Sequence, residues 1–154
     1  MRPKLSPQLL IPLLFVIASC SSSTTDRSKE IAVVGRIIDG DTIEVIDVAG
    51  NENKVRLIGI DTPERGECGF IEAGERLSAL ILNYEVKLIP GGTDDRDSYG
   101  RLLRYVDIGE IDSGLVLIQE GFAVAKFDSR DGYPNHDRES EYINADTTST
   151  DICK

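Results

Sequence analysis

Two runs of β-forming residues, separated by a glycine-containing turn, place the strongest constraint on how this chain folds. The first run spans residues 42–48 and the second spans residues 54–60, with a Gly-Asn pair between them. Glycine accepts the positive φ that tight turns need, and branched residues favour strands. The pattern predicts two neighbouring strands, and a hairpin of this kind would bring Asp41 and Asp61 side by side.

Three acidic residues, Asp41, Asp61 and Glu64, would then share one end of the strands. Neighbouring carboxylates disfavour each other's ionisation, and a bound cation removes that cost. Ca²⁺ takes carboxylate oxygens, backbone carbonyls and water as ligands. The carboxylates of Asp41 and Asp61 and the carbonyl of Thr62 are therefore candidate Ca²⁺ ligands. Glu64 lies near enough to act as a general base on a metal-associated water.

Two arginines complement this acidic cluster. Arg56 lies between the two aspartates, and Arg101 follows the acidic loop that contains Asp97, which is expected to orient it. A planar guanidinium binds a phosphate through two parallel hydrogen bonds. Carboxylates, a metal ion and two arginines together favour phosphoryl transfer. Taken alone, however, each acidic motif is also typical of a hairpin turn or a helix N-terminus.

Three ordered blocks of sequence, IIDGDTIEV, VRLIGIDTPE and DSYGRLLRYV, resemble the signature blocks of the staphylococcal nuclease (thermonuclease) family. The resemblance covers residues 31–126. It implies an α+β fold, in which a five-stranded OB-type β-barrel carries helices packed beside it. It also implies Ca²⁺-dependent cleavage of DNA and RNA.

The resemblance assigns roles to particular residues. The matched positions are the metal ligands Asp41, Asp61 and Thr62, the general base Glu64, the phosphate-binding Arg56 and Arg101, and Tyr99, which contacts a nucleotide phosphate. Ser98 replaces the family's basic residue before that tyrosine. The aromatic pair after the barrel is reduced to Phe127, with Tyr133 a looser candidate. We therefore expect the chemistry to be retained and the substrate affinity to be altered.

The N-terminus is typical of a targeting segment. Arg2 and Lys4 precede a short apolar run over residues 9–18, which suits a signal peptide and is too short to span a bilayer as a helix. Cys20 follows small residues and resembles the lipidated cysteine of a bacterial lipoprotein. The alternative is an ordinary signal peptide in which Cys20 is incidental.

These patterns divide the chain into four segments. Residues 1–19 are predicted to be the signal peptide, 20–29 a flexible tether, 30–146 the nuclease-like domain and 147–154 a C-terminal tail. We expect an exported, monomeric lipoprotein that is anchored to the cell membrane and faces the extracytoplasmic side.

The three cysteines bear on the compartment. If Cys20 is acylated, Cys68 and Cys153 remain, and an even pair outside the cytoplasm favours a disulfide. Such a bond would tie the C-terminal tail to the loop beside the acidic cluster.

The formal net charge of −10 argues against tight nucleic-acid binding, since it repels a polyanion. We therefore expect weaker substrate binding than in a basic relative. The leading interpretation is an exported endonuclease. The alternatives are a non-catalytic OB module that binds single strands and an envelope lipoprotein that uses the barrel as a scaffold. Neither alternative explains why both the carboxylates and the arginines are present.

The remaining sequence gives a coarser outline. Apolar residues at helical spacing predict a helix over residues 72–82, and Ser113 is predicted to cap a second helix. Arg104 alternates with apolar neighbours and is expected to face solvent or the substrate groove. His136, the only histidine, starts a weakly helical stretch without a catalytic role, and the residues after Asp146 are expected to be disordered.

Overall fold

The computed structural model describes residues 29–153. The predicted signal peptide, Cys20 and most of the predicted tether lie outside the described residues. The strands are β1 (Glu30–Ile37), β2 (Thr42–Asp47), β3 (Glu52–Leu57), β4 (Ile60–Asp61), β5 (Glu85–Ile89), β6 (Leu102–Ile108), β7 (Ile111–Asp112) and β8 (Val124–Ala125). The helices are α1 (Phe70–Ile81), α2 (Ser113–Gln119) and α3 (Glu139–Thr148), with a 3₁₀ turn at Ser129–Asp131.

Five of the strands form a closed barrel in the order β3-β2-β1-β5-β6, and β3 closes it by pairing in parallel with β6. The other pairs in the barrel are antiparallel, and a bulge between Val34 and Arg36 bends β1. Strand β7 pairs antiparallel with β6 at the edge of this sheet. Strands β4 and β8 form a separate antiparallel pair. The predicted α+β fold with a five-stranded OB-type barrel is confirmed.

The core fills the barrel and the space between it and the three helices. In β1, Ala32 and Val34 point inward while Val33 and Gly35 are exposed, as the two-residue period of a strand requires. The buried face of α1 consists of Ala73, Leu77 and Ile81, which recur at intervals of four residues. Helix α1 begins at Phe70, two residues before the predicted start. It packs on the barrel through the apolar residues whose spacing predicted a helix.

The predicted cap of the second helix is wrong by one residue. Asp112 is the N-cap of α2, and its carboxylate accepts hydrogen bonds from the backbone N–H groups of Gly114 and Leu115 at 2.9 and 3.2 Å. The hydroxyl of Ser113 instead donates to the carbonyl of Val106 at 2.6 Å. Aspartate and serine are both good caps. Asp112 ends β7 and takes the N-cap position, which leaves Ser113 as the first residue of α2.

The prediction of disorder after Asp146 is also wrong. Helix α3 continues to Thr148, and the N–H of Ile152 donates to the carbonyl of Gly121 at 3.4 Å. This helix shows little apolar periodicity, and contacts of its polar side chains hold it against the rest of the protein. Tyr142 donates to Asp112 at 2.8 Å, and Arg138 pairs with Asp107 at 2.7 Å. Contacts between elements far apart in sequence thus fix the C-terminal end.

Arg104 lies inside the protein, contrary to the expectation that it faces solvent or the groove. Only 3% of its surface is exposed. Its guanidinium pairs with Glu30 at 2.9 Å and with Asp95 at 2.6 Å, and it also donates to two backbone carbonyls. The paired acids supply the charge that allows an arginine to be buried at a strand position.

Cys68 and Cys153 are joined by a disulfide that links the loop before α1 to the C-terminal end. Within residues 29–153, none of the helices has the length and hydrophobicity that a membrane span requires.

Candidate active site

A cleft of about 510 Å³ opens at the rim of the barrel. The predicted site residues that line it are Asp41, Arg56, Asp61, Glu64, Tyr99, Arg101 and Phe127. Thr62 is buried beside the cleft and reaches it through its contacts with Asp41. The structure thus brings together the residues that the sequence predicted to act as one site.

The strand register explains why these residues meet. Across the β2–β3 hairpin, Thr42 lies opposite Arg56, and the N–H of Leu57 donates to the carbonyl of Asp41 at 2.9 Å. Strand β6 runs parallel to β3 on its other side, so Arg101 enters the rim immediately before β6 begins. Three neighbouring strand ends therefore present an acid and two arginines to the same cleft.

Asp41 is the most constrained carboxylate of the site, with 7% of its surface exposed. One of its oxygens accepts from the N–H and hydroxyl of Thr62 at 3.2 and 3.0 Å, and the other accepts from the hydroxyl of Thr42 at 3.1 Å. Burial raises the pKa of Asp41, Arg56 opposes the rise, and Asp39 adds to it. A cation beside this carboxylate would offset the cost of its burial.

Arg56 connects the two aspartates. Its Nη2 lies 3.1 Å from an oxygen of Asp41 and 3.6 Å from an oxygen of Asp61. The second guanidinium nitrogen donates to the carbonyl of Leu57 at 2.8 Å, which fixes the plane of the group. Since both carboxylates face one guanidinium, they converge on a common point.

Asp41 and Asp61 are the candidate ligands of a hard cation. Ca²⁺ takes six to eight oxygen ligands, and carboxylates and water are among them. Over residues 29–153, no group of three or more histidine, cysteine, aspartate or glutamate side chains is arranged to hold a metal ion. Asp41 and Asp61 would supply only two carboxylates to such an ion, beside the guanidinium of Arg56, and the rest of its coordination shell would come from other oxygens.

Arg101 is held by the loop that precedes it. Its Nε donates to Asp97 at 2.6 Å, and its Nη1 donates to the hydroxyl of Thr42 at 3.3 Å. Although burial opposes the change, hydrogen bonds from Arg101 lower the pKa of Asp97. The guanidinium carbon also lies 5.4 Å from the ring centre of Tyr99, which is 84% exposed. The structure thus gives Asp97 the orienting position that the sequence predicted.

Glu64 stands at the exposed edge of the cleft in a tight turn. Its N–H donates to the carboxylate of Glu67 at 2.8 Å, and the N–H of Glu67 donates to the carbonyl of Glu64 at 2.9 Å. Pro63 restricts the backbone on the other side. The turn holds the backbone of Glu64 and leaves its carboxylate facing the solvent of the cleft.

Two aromatic rings form part of the wall of the cleft. Phe127 and Tyr133 meet edge to face with their ring centres 5.6 Å apart, and Arg56 lies 5.4 Å from the Phe127 ring centre. Both rings line the cleft, so Tyr133 occupies the position for which the sequence made it only a loose candidate. Such a pair offers a surface on which a nucleobase can stack.

Sequence reasoning missed two further residues of the cleft. Asp39 lines it and accepts the backbone N–H of Asp41 at 3.1 Å, although the sequence indicated only a turn residue. His136 also lines it, buried against Tyr105. Asp39 could have been found as the acid that begins the first motif, whereas no sequence pattern marks His136.

Comparison with known proteins agrees with this geometry. Residues 54–149 match the family described as "Staphylococcal nuclease homologue". The chain belongs to the staphylococcal nuclease family. The family match includes Arg56, Asp61, Glu64 and Arg101 and begins after Asp41, so the placement of Asp41 rests on the structure.

Individual relatives in this family are nucleases. The chain is 36% identical over 121 residues to the thermonuclease of Staphylococcus intermedius, covering 75% of the chain and 68% of that protein. It is 34% identical over 113 residues to the thermonuclease of Staphylococcus hyicus, covering 70% and 66%. It is 30% identical over 116 residues to an uncharacterized endonuclease of Haemophilus influenzae, covering 75% and 61%. The chain spans about two thirds of the length of these relatives.

Proposed function

We propose that this chain is a Ca²⁺-dependent endonuclease that hydrolyses phosphodiester bonds in DNA and, as the family resemblance implies, in RNA. The observation that carries the proposal is the convergence of Asp41, Asp61, Arg56, Arg101 and Glu64 in one cleft. Membership of a nuclease family supports it. Each residue then takes the role that its position allows.

Glu64 is the proposed general base. Its exposed carboxylate takes a proton from a water molecule, and the resulting hydroxide attacks the phosphorus in line with the leaving 5′ oxygen. The turn that contains Glu64 holds its backbone at the edge of the cleft, which supports this role.

Arg56 and Arg101 are the proposed phosphate ligands. Their partners Asp41 and Asp97 hold them in place before the substrate arrives, so little reorganisation is needed when charge develops on the phosphate oxygens. Asp41 and Asp61, with the Thr62 carbonyl, would hold Ca²⁺, which when bound polarises the phosphate and neutralises part of its charge.

The outer parts of the cleft are proposed to hold the nucleotide. Tyr99 is exposed beside Arg101 and would contact a phosphate, while Phe127 and Tyr133 would stack against a base. The formal charge of −10 weakens the attraction of the whole molecule for a polyanion, so the arginines and the metal must supply it locally.

Export and tethering are part of the proposal and rest on the N-terminal sequence alone. The apolar run and Cys20 favour a lipid-anchored protein outside the cytoplasm. Metabolic labelling with a fatty acid should label the wild-type protein, and a Cys20→Ser variant should carry no label. Equal labelling of both proteins would refute the anchor.

Removal of the metal is the test of the proposed chemistry. The purified protein should cleave single-stranded and duplex DNA in millimolar Ca²⁺ and lose cleavage in excess chelator, because the two aspartates then lack their cation. Restoring Ca²⁺ should restore the rate. Full activity in chelator would contradict the calcium mechanism, and DNA binding without cleavage in Ca²⁺ would favour the single-strand-binding module.

A further inference from the structure

The last described residues form a short strap that crosses the end of α2. We call residues 149–153 the C-terminal strap. Its Ile152 N–H donates to the carbonyl of Gly121 at 3.4 Å. A Cβ built on Gly121 would lie 2.0 Å from the carbonyl oxygen of Thr150, and Gly121 has a φ of +80°. The strap therefore lies directly on the backbone of Gly121, where only glycine leaves room for it.

The far end of the strap reaches the segment that carries Glu64. We call residues 63–69 the Glu64 turn. A Cβ on Gly69, whose φ is +87°, would lie 3.1 Å from Ile152, 3.2 Å from the sulfur of Cys153 and 3.2 Å from Pro63. The disulfide from Cys68 to Cys153 makes this contact covalent. The strap and Pro63, the residue that immediately precedes Glu64, thus both lie close to Gly69.

The Glu64 turn has few other ties to the rest of the protein. Among residues 29–153, the hydrogen bonds of residues 63–68 stay within the turn or reach Phe70, the first residue of α1. Arg65 lies over the ring of Phe70, which is again a local contact. The turn is therefore anchored by Thr62 at one end, by α1 at the other, and by the disulfide to a residue 85 positions away.

We propose that the Cys68–Cys153 disulfide positions Glu64, so that hydrolysis is faster in the oxidised chain and is slowed by a dithiol reductant. This inference rests on the proposed role of Glu64 as the general base. Both cysteines are exposed, so a reductant can reach the bond. The dithiol gives two electrons and two protons, the S–S bond breaks to two thiols, and the reductant becomes a disulfide.

The expected effect falls on the chemical step and not on substrate binding. Arg56 and Arg101 are held by Asp41 and Asp97, whereas the disulfide joins the strap to the Glu64 turn. A loosened turn would displace the base carboxylate, and misplacement of a reacting group by about 1 Å can cost about a hundredfold in rate. We therefore expect reduction to lower kcat by roughly ten- to a hundredfold, with KM changed less than twofold.

The kinetic test compares the oxidised full chain, the dithiol-reduced full chain and the Cys68→Ser/Cys153→Ser variant on the same DNA in Ca²⁺. Circular dichroism at the assay temperature identifies the folded fraction, and rates are expressed per folded molecule. The double variant should match the reduced protein and should not respond to the dithiol, which also controls for effects through Cys20. An unchanged kcat after reduction, or a change confined to KM, would overturn the proposal.

A second measurement does not depend on activity. Amide hydrogen exchange in the Glu64 turn should be faster in the reduced protein and the double variant than in the oxidised protein, while exchange in the barrel strands stays the same. If the oxidised protein cleaves no DNA, the proposed function fails and exchange alone tests the anchoring. Unchanged exchange in the turn would overturn the positioning role whatever the activity.

Discussion

His136 shows how a single buried residue of the cleft couples to the stability of the fold. The hydroxyl of Tyr105 accepts the N–H of Arg138 at 3.1 Å and shares a hydrogen bond with Nδ1 of His136, 2.9 Å away. Burial lowers the pKa of His136, although the nearby carboxylates of Glu139, Asp128 and Asp137 oppose this.

Acidification should consequently destabilise the protein through this residue. The unfolded histidine binds a proton below about pH 6.5, while the folded one resists protonation. The stability that depends on neutral His136 is therefore full above that value and is lost as the pH falls toward the folded pKa.

The difference between wild type and His136→Phe should isolate this effect, because other groups cancel. The free energy of unfolding in urea, measured at pH 7.5, 6.5 and 5.5, should fall more for wild type than for the variant. Parallel curves, or a wild type that gains stability in acid relative to the variant, would contradict the assignment.

At the scale of the elements, Asp112 joins α2 to α3. It caps α2, accepts the hydroxyl proton of Tyr142 and pairs with Arg138 at 2.6 Å. Burial, with the charge of Asp112 adding to it, raises the pKa of Tyr142, which keeps the phenol protonated as a donor. Together with the Arg138–Asp107 pair, this carboxylate holds the C-terminal helix, which apolar periodicity alone would not dock.

Asp112→Ala should lower the free energy of unfolding by about 2–4 kcal/mol, since it removes a cap and leaves the buried hydroxyl of Tyr142 without its acceptor. Asp112→Asn is the matched control, and it should cost less because its amide oxygen can still cap α2. Urea unfolding of the three proteins provides the measurement. Equal costs for the two variants, or a cost below about 1 kcal/mol for alanine, would contradict this role.

The secondary-structure elements also explain which parts of the fold and of the candidate site could be predicted from the sequence. Asp41, Arg56, Asp61 and Glu64 lie in short blocks at strand ends, where local spacing and β-pairing determine their neighbours. Arg104 could not be placed in this way because its partner Glu30 is 74 positions away. The same holds for α3, whose docking depends on partners about 30 positions away and not on its own pattern.

At the scale of the whole molecule, the negative charge and the proposed substrate are compatible because acids beside a cation, and charges far from the cleft, act only weakly on a phosphate there. The net charge of −10 already counts the paired cations. Arg36 pairs with Glu44, Arg76 with Glu120, and Lys126 with Asp131. Fixed charges more than about 8 Å away are also largely screened at physiological ionic strength. A phosphate in the cleft therefore responds mainly to the charges that line it, which are Arg56, Arg101, the carboxylates of the cleft and a bound cation.

The barrel, the helices and the C-terminal strap together fix the positions of the carboxylates and arginines in the cleft. Cleavage of DNA in saturating Ca²⁺ by wild type, Glu64→Gln and Glu72→Gln tests this arrangement most directly. Glu72 is an exposed acid of α1 outside the cleft, so its variant controls for the change in charge. We predict a fall in kcat by a factor on the order of 10² or more for Glu64→Gln and no change for Glu72→Gln. Wild-type rates in both variants would contradict the account.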